Sequence, residues 1–226
     1  MEAKLIFISG TNTGTGKTLL TCLALHHLRS LKKEARGLKP FCSGSRSDAH
    51  HICFHNQNTL HLDEVNPWFF SQPLSPGAMP ENLRIKKEPV IKNIRKHQGK
   101  CEFLLVEGAG GLLSPLGSNY HFGNLVRHFN PSIIVAAPNQ LGVLNQVLLT
   151  HDYLRRANRT EKLKIVLMGQ RNPDLSADSN ADILRKWIPE CPVIELPYLG
   201  TRAKSRSSVI TNAQKLKRKL DSVFLT

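Results

Sequence analysis

Between residues 7 and 18 the chain reads Phe7-Ile8-Ser9-Gly10-Thr11-Asn12-Thr13-Gly14-Thr15-Gly16-Lys17-Thr18. An apolar run passes into a glycine-rich turn that ends in Gly-Lys-Thr, which is typical of a phosphate-binding loop between a strand and a helix. Glycines let consecutive backbone N–H groups face an anion, and the following helix presents its positive end. Gly10 and Gly16 enclose one residue more than usual. The loop predicts that Lys17 reaches nucleotide phosphates and that the Thr18 hydroxyl can bind Mg²⁺.

Outside this loop, short apolar runs alternate with amphipathic stretches, which is the pattern of βαβ units. We therefore expect an α/β fold with a mostly parallel central sheet and helices on both faces, a Rossmann-like three-layer α/β/α arrangement of the P-loop NTPase class. Strands are expected near Lys4–Ser9, Ala35–Lys39, Phe103–Glu107, Ser132–Ala136, Lys164–Met168 and Val193–Leu196. Helices are expected near Lys17–Leu31, Asp48–Phe54, Pro89–His97, Phe122–Phe129, Gly142–Ala157, Ser179–Trp187 and Ser207–Leu225. The proline-rich stretch Asn56–Asn82 is expected to form a long structured loop.

Length and composition indicate a single domain over residues 1–226. The chain has 226 residues and is 40% hydrophobic, which is enough to bury one sizeable core. No apolar run approaches the roughly 18 residues that a membrane span needs, and the first residues lead into a strand without the features of a signal peptide. The five cysteines are odd in number and scattered, so they suggest neither a disulfide framework nor a zinc site. We expect a cytoplasmic protein with no membrane partner.

The formal net charge of +14 raises the question of a polyanionic partner. The basic residues are spread along the chain, and in the tail Lys215–Lys219 helical spacing leaves Leu216 and Leu220 to pack while the charges face water. Aromatic residues make up only 6% of the chain and do not alternate with the basic ones as they do where bases stack. We therefore expect no nucleic-acid partner, and a positive field that favours nucleotides and other anionic substrates.

Oxygen-bearing side chains follow three of the predicted strands, whose carboxyl ends are where ligands bind in such sheets. Thr18 follows the first strand, Asp48 the second, and Glu107 ends the third, just before a glycine-rich turn. Mg²⁺ prefers hard oxygen ligands, so these three residues are the candidate metal ligands. The alternatives are that Asp48 caps a helix and that Glu107 is a salt-bridged strand end.

Two lysines are the candidate catalytic residues. Lys17 ends the phosphate loop, and Lys39 ends the second strand ahead of a proline. Two ammonium groups at one site can neutralise the charge that develops on a transferred phosphoryl group or an acyl phosphate. The alternative for Lys39 is a sheet-edge lysine whose head group reaches solvent.

A series of short motifs, taken in order along the chain, resembles the dethiobiotin synthetase family over nearly the whole sequence. The motifs are the phosphate loop with its extra residue, Gly37-Leu38-Lys39-Pro40, Ser43-Gly44, Ser47-Asp48-Ala49, Val65-Asn66-Pro67, Pro73-Leu74-Ser75-Pro76, Val106-Glu107-Gly108-Ala109-Gly110-Gly111 and Gln140-Leu141-Gly142-Val143-Leu144-Asn145. The resemblance implies an ATP- and Mg²⁺-dependent ligase of biotin biosynthesis that converts 7,8-diaminononanoate and CO₂ to dethiobiotin through a carbamate. It also implies a homodimer.

The resemblance assigns roles to particular residues. It implies that Thr18, Asp48 and Glu107 hold the metal, that Lys17 bridges phosphates and carbamate, and that Lys39 stabilises the carbamate and its anhydride with phosphate. The substrate-binding residues that it implies are Thr13, Ser43, Gly142, Val143, Leu144 and Asn145. Through their backbone N–H groups, the last four are implied to bind the tail carboxylate of the substrate that the partner subunit holds. The nucleotide-binding residues that it implies are Gly14, Thr15, Gly16, Lys17, Thr18, Leu19, Asp48, Glu107, Gly108, Ala109, Gly110, Gly169, Gln170, Pro197, Tyr198 and Leu199.

The chain departs from the family pattern at three positions. Many relatives carry a glutamate at Gly14, an asparagine that reads the adenine edge at Gly169, and an acidic ribose ligand at Lys204. A glycine offers no side-chain amide to a base, and a lost polar contact is worth about 1 kcal/mol. We therefore expect weaker selection of ATP over other nucleoside triphosphates.

Two other functions remain open on the sequence. An amidating synthetase or a partitioning ATPase would share the fold, although the first usually carries a glutaminase domain and the second an extra loop lysine where this chain has Thr11. The other function is that of a regulatory protein that binds a nucleotide without catalysis and binds nucleic acid through its positive charge. Lys39, Asp48 and Glu107 together favour an enzyme, because a nucleotide sensor needs no substrate-side lysine.

Overall fold

The computed structural model describes residues 3–57 and 59–225. Its strands are β1 (Lys4–Gly10), β2 (Ala35–Leu38), β3 (Phe41–Ser43), β4 (Trp68–Phe70), β5 (Phe103–Gly111), β6 (Ser132–Pro138), β7 (Leu163–Met168) and β8 (Val193–Leu196). Its α-helices are α1 (Lys17–Ser30), α2 (Ser47–His55), α3 (Leu62–Val65), α4 (Lys87–Gln98), α5 (Phe122–Phe129), α6 (Val143–Arg156), α7 (Asn180–Trp187), α8 (Arg206–Lys215) and α9 (Lys217–Phe224). Single 3₁₀ turns occupy Pro76–Ala78, Glu81–Leu83 and Leu175–Asp178.

Six parallel strands form the main sheet in the order β2-β5-β1-β6-β7-β8. The chain leaves β1 in one direction to reach β2 and then crosses in the opposite direction through β5, β6, β7 and β8. Because such crossovers are right-handed, this reversal places α1 on one face and α4 to α7 on the other. The predicted three-layer α/β/α fold is confirmed, and β1, which leads into the glycine-rich loop, lies in the middle of the sheet.

Burial explains why the central strands are so apolar. Phe7 and Ile8 of β1 are fully buried, as are Leu104, Leu105 and Val106 of β5, because helices cover both faces of the sheet. Phe7 stacks on Phe122 of α5, with ring centroids 5.0 Å apart. This packing fixes the carboxyl end of β1, from which the loop departs.

The stretch 56–82 is more regular than the loop predicted for it, and Asn58 within it lies outside the described residues. It contains α3 and β4, and β4 pairs in parallel with β3 to form a second, two-stranded sheet. Phe41 of β3 stacks on Trp68 of β4 at a centroid distance of 5.3 Å. Strands of three residues are too short to leave a periodic pattern in the sequence, which is why this sheet was not predicted.

Two other predictions about secondary structure are wrong. The single helix expected over Ser207–Leu225 is divided at Leu216, whose φ of −98° and ψ of 11° separate α8 from α9. Leu216 and Leu220 are both buried, so the apolar spacing continues across the break and hides it. The glycine-rich turn expected after Glu107 is part of β5, which runs on to Gly111 with a register shift against β1.

Among the residues that the structure describes, none of the helices combines the length and apolar character needed to cross a membrane.

Candidate active site

A cavity of about 610 Å³ opens at the carboxyl end of the main sheet, around the glycine-rich loop. Among the described residues, its charged lining consists of three lysines and one aspartate: Lys17, Lys39, Lys204 and Asp48. The predicted site residues that line it are Thr13, Gly14, Thr15, Gly16, Lys17, Thr18, Leu19, Lys39, Ser43, Asp48, Ala109 and Gly110. Four side chains from three different strand-to-helix connections thus face one space with an excess of positive charge, as an anionic ligand requires.

The glycine-rich loop has the geometry of an anion cradle. Gly14 and Gly16 adopt positive φ values of 74° and 89°, and Gly16 directly precedes α1. Lys17 is 6% exposed, and its ammonium donates to the carbonyl of Asn12 across the loop at 2.7 Å. The hydroxyl of Thr15 is buried without a hydrogen-bond partner in the described structure. An unsatisfied buried group costs about 1–3 kcal/mol, which a phosphate oxygen in the loop would offset by accepting a hydrogen bond from this hydroxyl.

Glu107 connects the loop helix with the second lysine. It is 1% exposed, and its Oε1 accepts hydrogen bonds from the Thr18 hydroxyl at 2.8 Å and from the Lys39 ammonium at 2.6 Å. Its Oε2 accepts from the Thr21 hydroxyl at 2.8 Å. Glu107 therefore lies behind the cavity wall and orients Thr18 and Lys39 towards the cavity. Lys39 also donates to the carbonyl of Gly108 at 3.1 Å.

The two lysines differ in their electrostatic surroundings. Burial, followed by repulsion from Lys39, lowers the pKa of Lys17 to about 8, with Glu107 and Asp48 opposing the shift. Burial also acts to lower the pKa of Lys39, but attraction from Glu107 and Asp48 outweighs it and holds that pKa above its ordinary value. Lys39 therefore stays charged at neutral pH and presents a fixed positive charge to the cavity.

Asp48 lies in the first turn of α2, which begins at Ser47 after Arg46. It does not cap the helix, so that alternative is wrong. Burial acts to raise the pKa of Asp48, but Lys39 and Lys204 outweigh it and keep the carboxylate ionised with a pKa below its ordinary value. The Lys204 ammonium lies 3.1 Å from Asp48 Oδ1.

The carboxylate-binding segment predicted at Gly142–Asn145 lies outside this cavity. Gly142 precedes α6 with a φ of 89°, as the sequence predicts for a glycine that opens a helix. Gly142 has no side chain with which to cap the first turn, and although the Val143 amide donates to Gln140 O at 3.1 Å, the N–H groups that follow can bind an anion. Thr11 of the phosphate loop donates to Gln146 Oε1 at 2.9 Å, which ties this helix to the loop.

The residues predicted to bind the base also lie outside the cavity, at the ends of β7 and β8. The Gly169 amide donates to Leu196 O at 2.8 Å, and a Cβ on Gly169 would lie 2.5 Å from the backbone nitrogen of Tyr198. The Gln170 side chain turns back and donates to Met168 O at 2.6 Å. This edge therefore presents no free side-chain amide from Gly169 or Gln170. Gly108, Pro197 and Leu199 likewise do not line the cavity.

Sequence reasoning missed several residues of the site. Thr21 is one turn after Thr18 on the same helix face, and that spacing is a signal that could have found it. Other residues that line the cavity without having been predicted to do so are Phe41, Cys42, Ser45, Pro73, Leu74, Ser75, Pro76, Ser114, Gly200, Thr201, Ala203 and Lys204. Lys204 was noted only as a departure from the family pattern, and its contact with Asp48 spans 156 residues, which no local pattern reveals.

A central parallel strand followed by this loop and by a helix that begins with Lys-Thr defines a P-loop nucleotide-binding protein. A family model described as an AAA domain matches residues 4–204. A chain of the MinC:MinD cell division protein complex of Aquifex aeolicus superposes with a TM-score of 0.59, covering 96% of both chains at 17% identity, which is a likeness of fold alone.

Closer relatives identify the family. An ATP-dependent dethiobiotin synthetase of Endomicrobium trichonymphae is 36% identical over 203 residues, covering 85% of this chain and 92% of the relative. One of Bacillus licheniformis is 32% identical over 207 residues, covering 88% and 85%. The chain belongs to the dethiobiotin synthetase family, and is therefore a ligase in class.

Proposed function

We propose that this protein is a cytoplasmic, ATP- and Mg²⁺-dependent ligase that forms dethiobiotin from 7,8-diaminononanoate and CO₂. One amine of the substrate adds to CO₂ and loses a proton, which gives a carbamate. A carbamate oxygen attacks the γ-phosphorus of ATP, ADP leaves, and a carbamic-phosphoric anhydride forms. The second amine then attacks the anhydride carbonyl, and phosphate departs as the ureido ring closes. The proposal includes no nucleic-acid partner and no membrane partner.

The observation that carries the proposal is the Lys39–Glu107–Thr18 cluster beside the phosphate loop. A nucleotide-binding protein without chemistry needs the loop, Lys17 and Thr18, but gains nothing from a second buried ammonium aimed at the same cavity. Fixed charge in a site from which water is excluded stabilises developing negative charge more strongly than it would in water. In this proposal Lys39 stabilises the carbamate and the anhydride, and Lys17 binds the phosphates and the carbamate oxygen.

The donors present suit Mg²⁺, which prefers hydroxyl and carboxylate oxygens. Thr18 and Asp48 line the cavity, and Glu107 lies one hydrogen bond behind Thr18. The metal would neutralise phosphate charge. For Glu107 to act as a direct ligand, the Thr18 hydroxyl must turn away from Oε1. In the structure Glu107 instead accepts hydrogen bonds from Thr18 and Lys39 and so orients both side chains.

The substrate-side assignment rests on position. Thr13 and Ser43 both line the cavity and are proposed to orient the diamine. The tail carboxylate would be received by Gly142–Asn145 of a second copy of the chain. Leu141, immediately before this segment, is 80% exposed, and its amide donates to Asp174, which adjoins the 93% exposed Leu175. Two exposed leucines beside an anion-binding helix start support a homodimer that forms through this surface.

The test is phosphate release by the purified protein with Mg·ATP and bicarbonate, with and without 7,8-diaminononanoate. We expect release that depends on the diamine, and a product with the mass of dethiobiotin. Phosphate release whose rate does not depend on the diamine but changes when DNA is added would instead support the regulatory function.

Nucleotide selectivity gives a second prediction. The Gly169 backbone is packed so closely against residues 196–198 that it leaves no room for a side chain, and Gln170 is engaged with its own backbone. The nucleotide base therefore lacks the bidentate hydrogen bonds that a side-chain amide at this position would make, which are worth about 1 kcal/mol or more. We expect ATP, CTP and GTP to support diamine-dependent turnover with kcat/KM values within a hundredfold. A preference for ATP above a hundredfold would contradict this.

A further inference from the structure

Lys204 forms an ion pair that the fold does not require. It lies in the turn between β8 and α8, and its ammonium is 3.1 Å from Asp48 Oδ1 in the first turn of α2. The two side chains are 39% and 41% exposed. Ion pairs as exposed as this contribute about 0–1 kcal/mol to stability, so breaking the contact would cost the fold little. Both residues line the candidate active-site cavity.

Asp48 is the carboxylate at the cavity whose partner, the Lys204 ammonium, can be replaced by another cation. Glu107 is already engaged by Lys39, Thr18 and Thr21, with contacts of 2.6–2.8 Å. Asp48 is the one acidic residue that lines the cavity in the described part of the chain, and its carboxylate is held by an ammonium. A cation therefore already occupies the carboxylate that the proposed metal needs.

Lys204 is also placed to follow a ligand. It has a long flexible stem with three donors and no acceptor, so once released it binds oxygen anions. Gly200, Thr201 and Ala203 of the same turn line the cavity as well, so this turn forms part of its wall. Nucleotide phosphates in the loop would offer such oxygens within the same space.

We propose that Lys204 is an exchangeable counterion: it holds Asp48 in the nucleotide-free protein, yields that carboxylate to the divalent cation, and transfers its ammonium to the nucleotide phosphates. This inference rests on the metal site proposed above. Lys204 then has two opposite effects. It weakens binding of the metal alone, because the ammonium competes for Asp48, and it strengthens binding of the metal–nucleotide complex, because the released ammonium gains phosphate contacts.

The test compares Lys204→Met with wild type in two binding measurements. Mn²⁺ alone is titrated by electron paramagnetic resonance, and a non-hydrolysable ATP analogue with saturating Mg²⁺ by calorimetry. We expect Lys204→Met to bind Mn²⁺ up to about fivefold more tightly, the scale of an exposed ion pair. It should bind the Mg²⁺–analogue complex about tenfold more weakly, the scale of one charged hydrogen bond. Lys204→Arg should restore both values towards wild type. A purely structural role would move both affinities in the same direction.

A matched control is available on the surface. Lys33 and Glu102 form an ion pair of the same length, 3.1 Å, at 45% and 41% exposure. Lys33→Met should change neither affinity. The inference is overturned if Lys204→Met leaves both affinities unchanged, as Lys33→Met should, or moves both in the same direction.

A further variant separates this inference from the metal site on which it rests. If analogue binding to wild type depends on Mg²⁺, and Asp48→Asn removes that dependence while Lys204→Met alters nothing, the metal site stands and Lys204 has no part in it. If wild type shows no dependence on a divalent cation, both are overturned.

Discussion

Lys39→Met is expected to lower diamine-dependent phosphate release by about 10²–10³-fold, the usual cost of removing one group that stabilises developing negative charge. Lys39 is a buried cation beside the loop, 2.6 Å from Glu107, and methionine keeps most of its unbranched length without its charge. Nucleotide binding should change much less, because Lys17 and the loop remain. The measurement is phosphate release together with calorimetric binding of an ATP analogue, well below the unfolding temperature of the variant. Loss of binding equal to the loss of rate would contradict the assignment of Lys39 to the reacting carbamate.

The same substitution tests the buried ion pair. Removing one partner leaves Glu107, which is 1% exposed, charged and unpaired, at a cost of about 3–5 kcal/mol. For a chain of this size that corresponds to a fall of roughly 10 °C in the unfolding temperature. The double variant Lys39→Met/Glu107→Gln should recover most of this, because the glutamine carbonyl can still accept a hydrogen bond from the Thr18 hydroxyl, and its amide group can donate to the Thr21 oxygen while that hydroxyl donates to Lys17 O. Its diamine-dependent phosphate release should stay at least as low as that of Lys39→Met. Circular dichroism melts of the three proteins provide the comparison, with Lys33→Met as the exposed-pair control, expected to melt close to wild type.

The sequence was most informative where chemistry and local structure coincide. Apolar β1, the glycines and Lys17-Thr18 lie within 15 residues of one another, so strand, loop and helix start can be read directly from their order. Lys39 and Glu107 could be placed at the same edge of the sheet because parallel strands end together. Their 2.6 Å contact could not be predicted from the sequence, since it depends on which neighbouring side chains turn inwards.

The missed features share a physical cause. The pairing of β3 with β4 and the contact of Lys204 with Asp48 both depend on tertiary packing between segments that are distant along the chain. The break at Leu216 was hidden because buried leucines keep helical spacing across it. Glu107 was expected at the cavity surface from its place near a strand end, whereas the strand continues past it and Lys39 covers it. Periodicity reports the face on which a residue lies, but not how deeply its neighbours bury it.

Gly10→Ala is expected to weaken binding of the Mg²⁺–ATP analogue by about 100-fold while leaving the sheet intact. A Cβ on Gly10 would meet the Thr15 hydroxyl and would lie 2.9 Å from both the Asn12 carbonyl oxygen and the Lys17 ammonium. Overpacking of this kind costs about 1–3 kcal/mol, and here it also displaces the ammonium assigned to the phosphates.

Gly14→Ala is the matched control for this substitution. Gly14 has a φ of 74°, but a Cβ there would meet no atom within 4 Å. It therefore carries the strain of a left-handed alanine, about 1–2 kcal/mol, but clashes with no described protein atom and leaves the Lys17 ammonium in place. We expect its affinity for the analogue to stay within about tenfold of wild type. Calorimetric titration of both variants, with melting curves to verify folding, provides the comparison. Equal affinities in Gly10→Ala and wild type would mean that the loop binds its anion elsewhere than between Gly10 and Lys17.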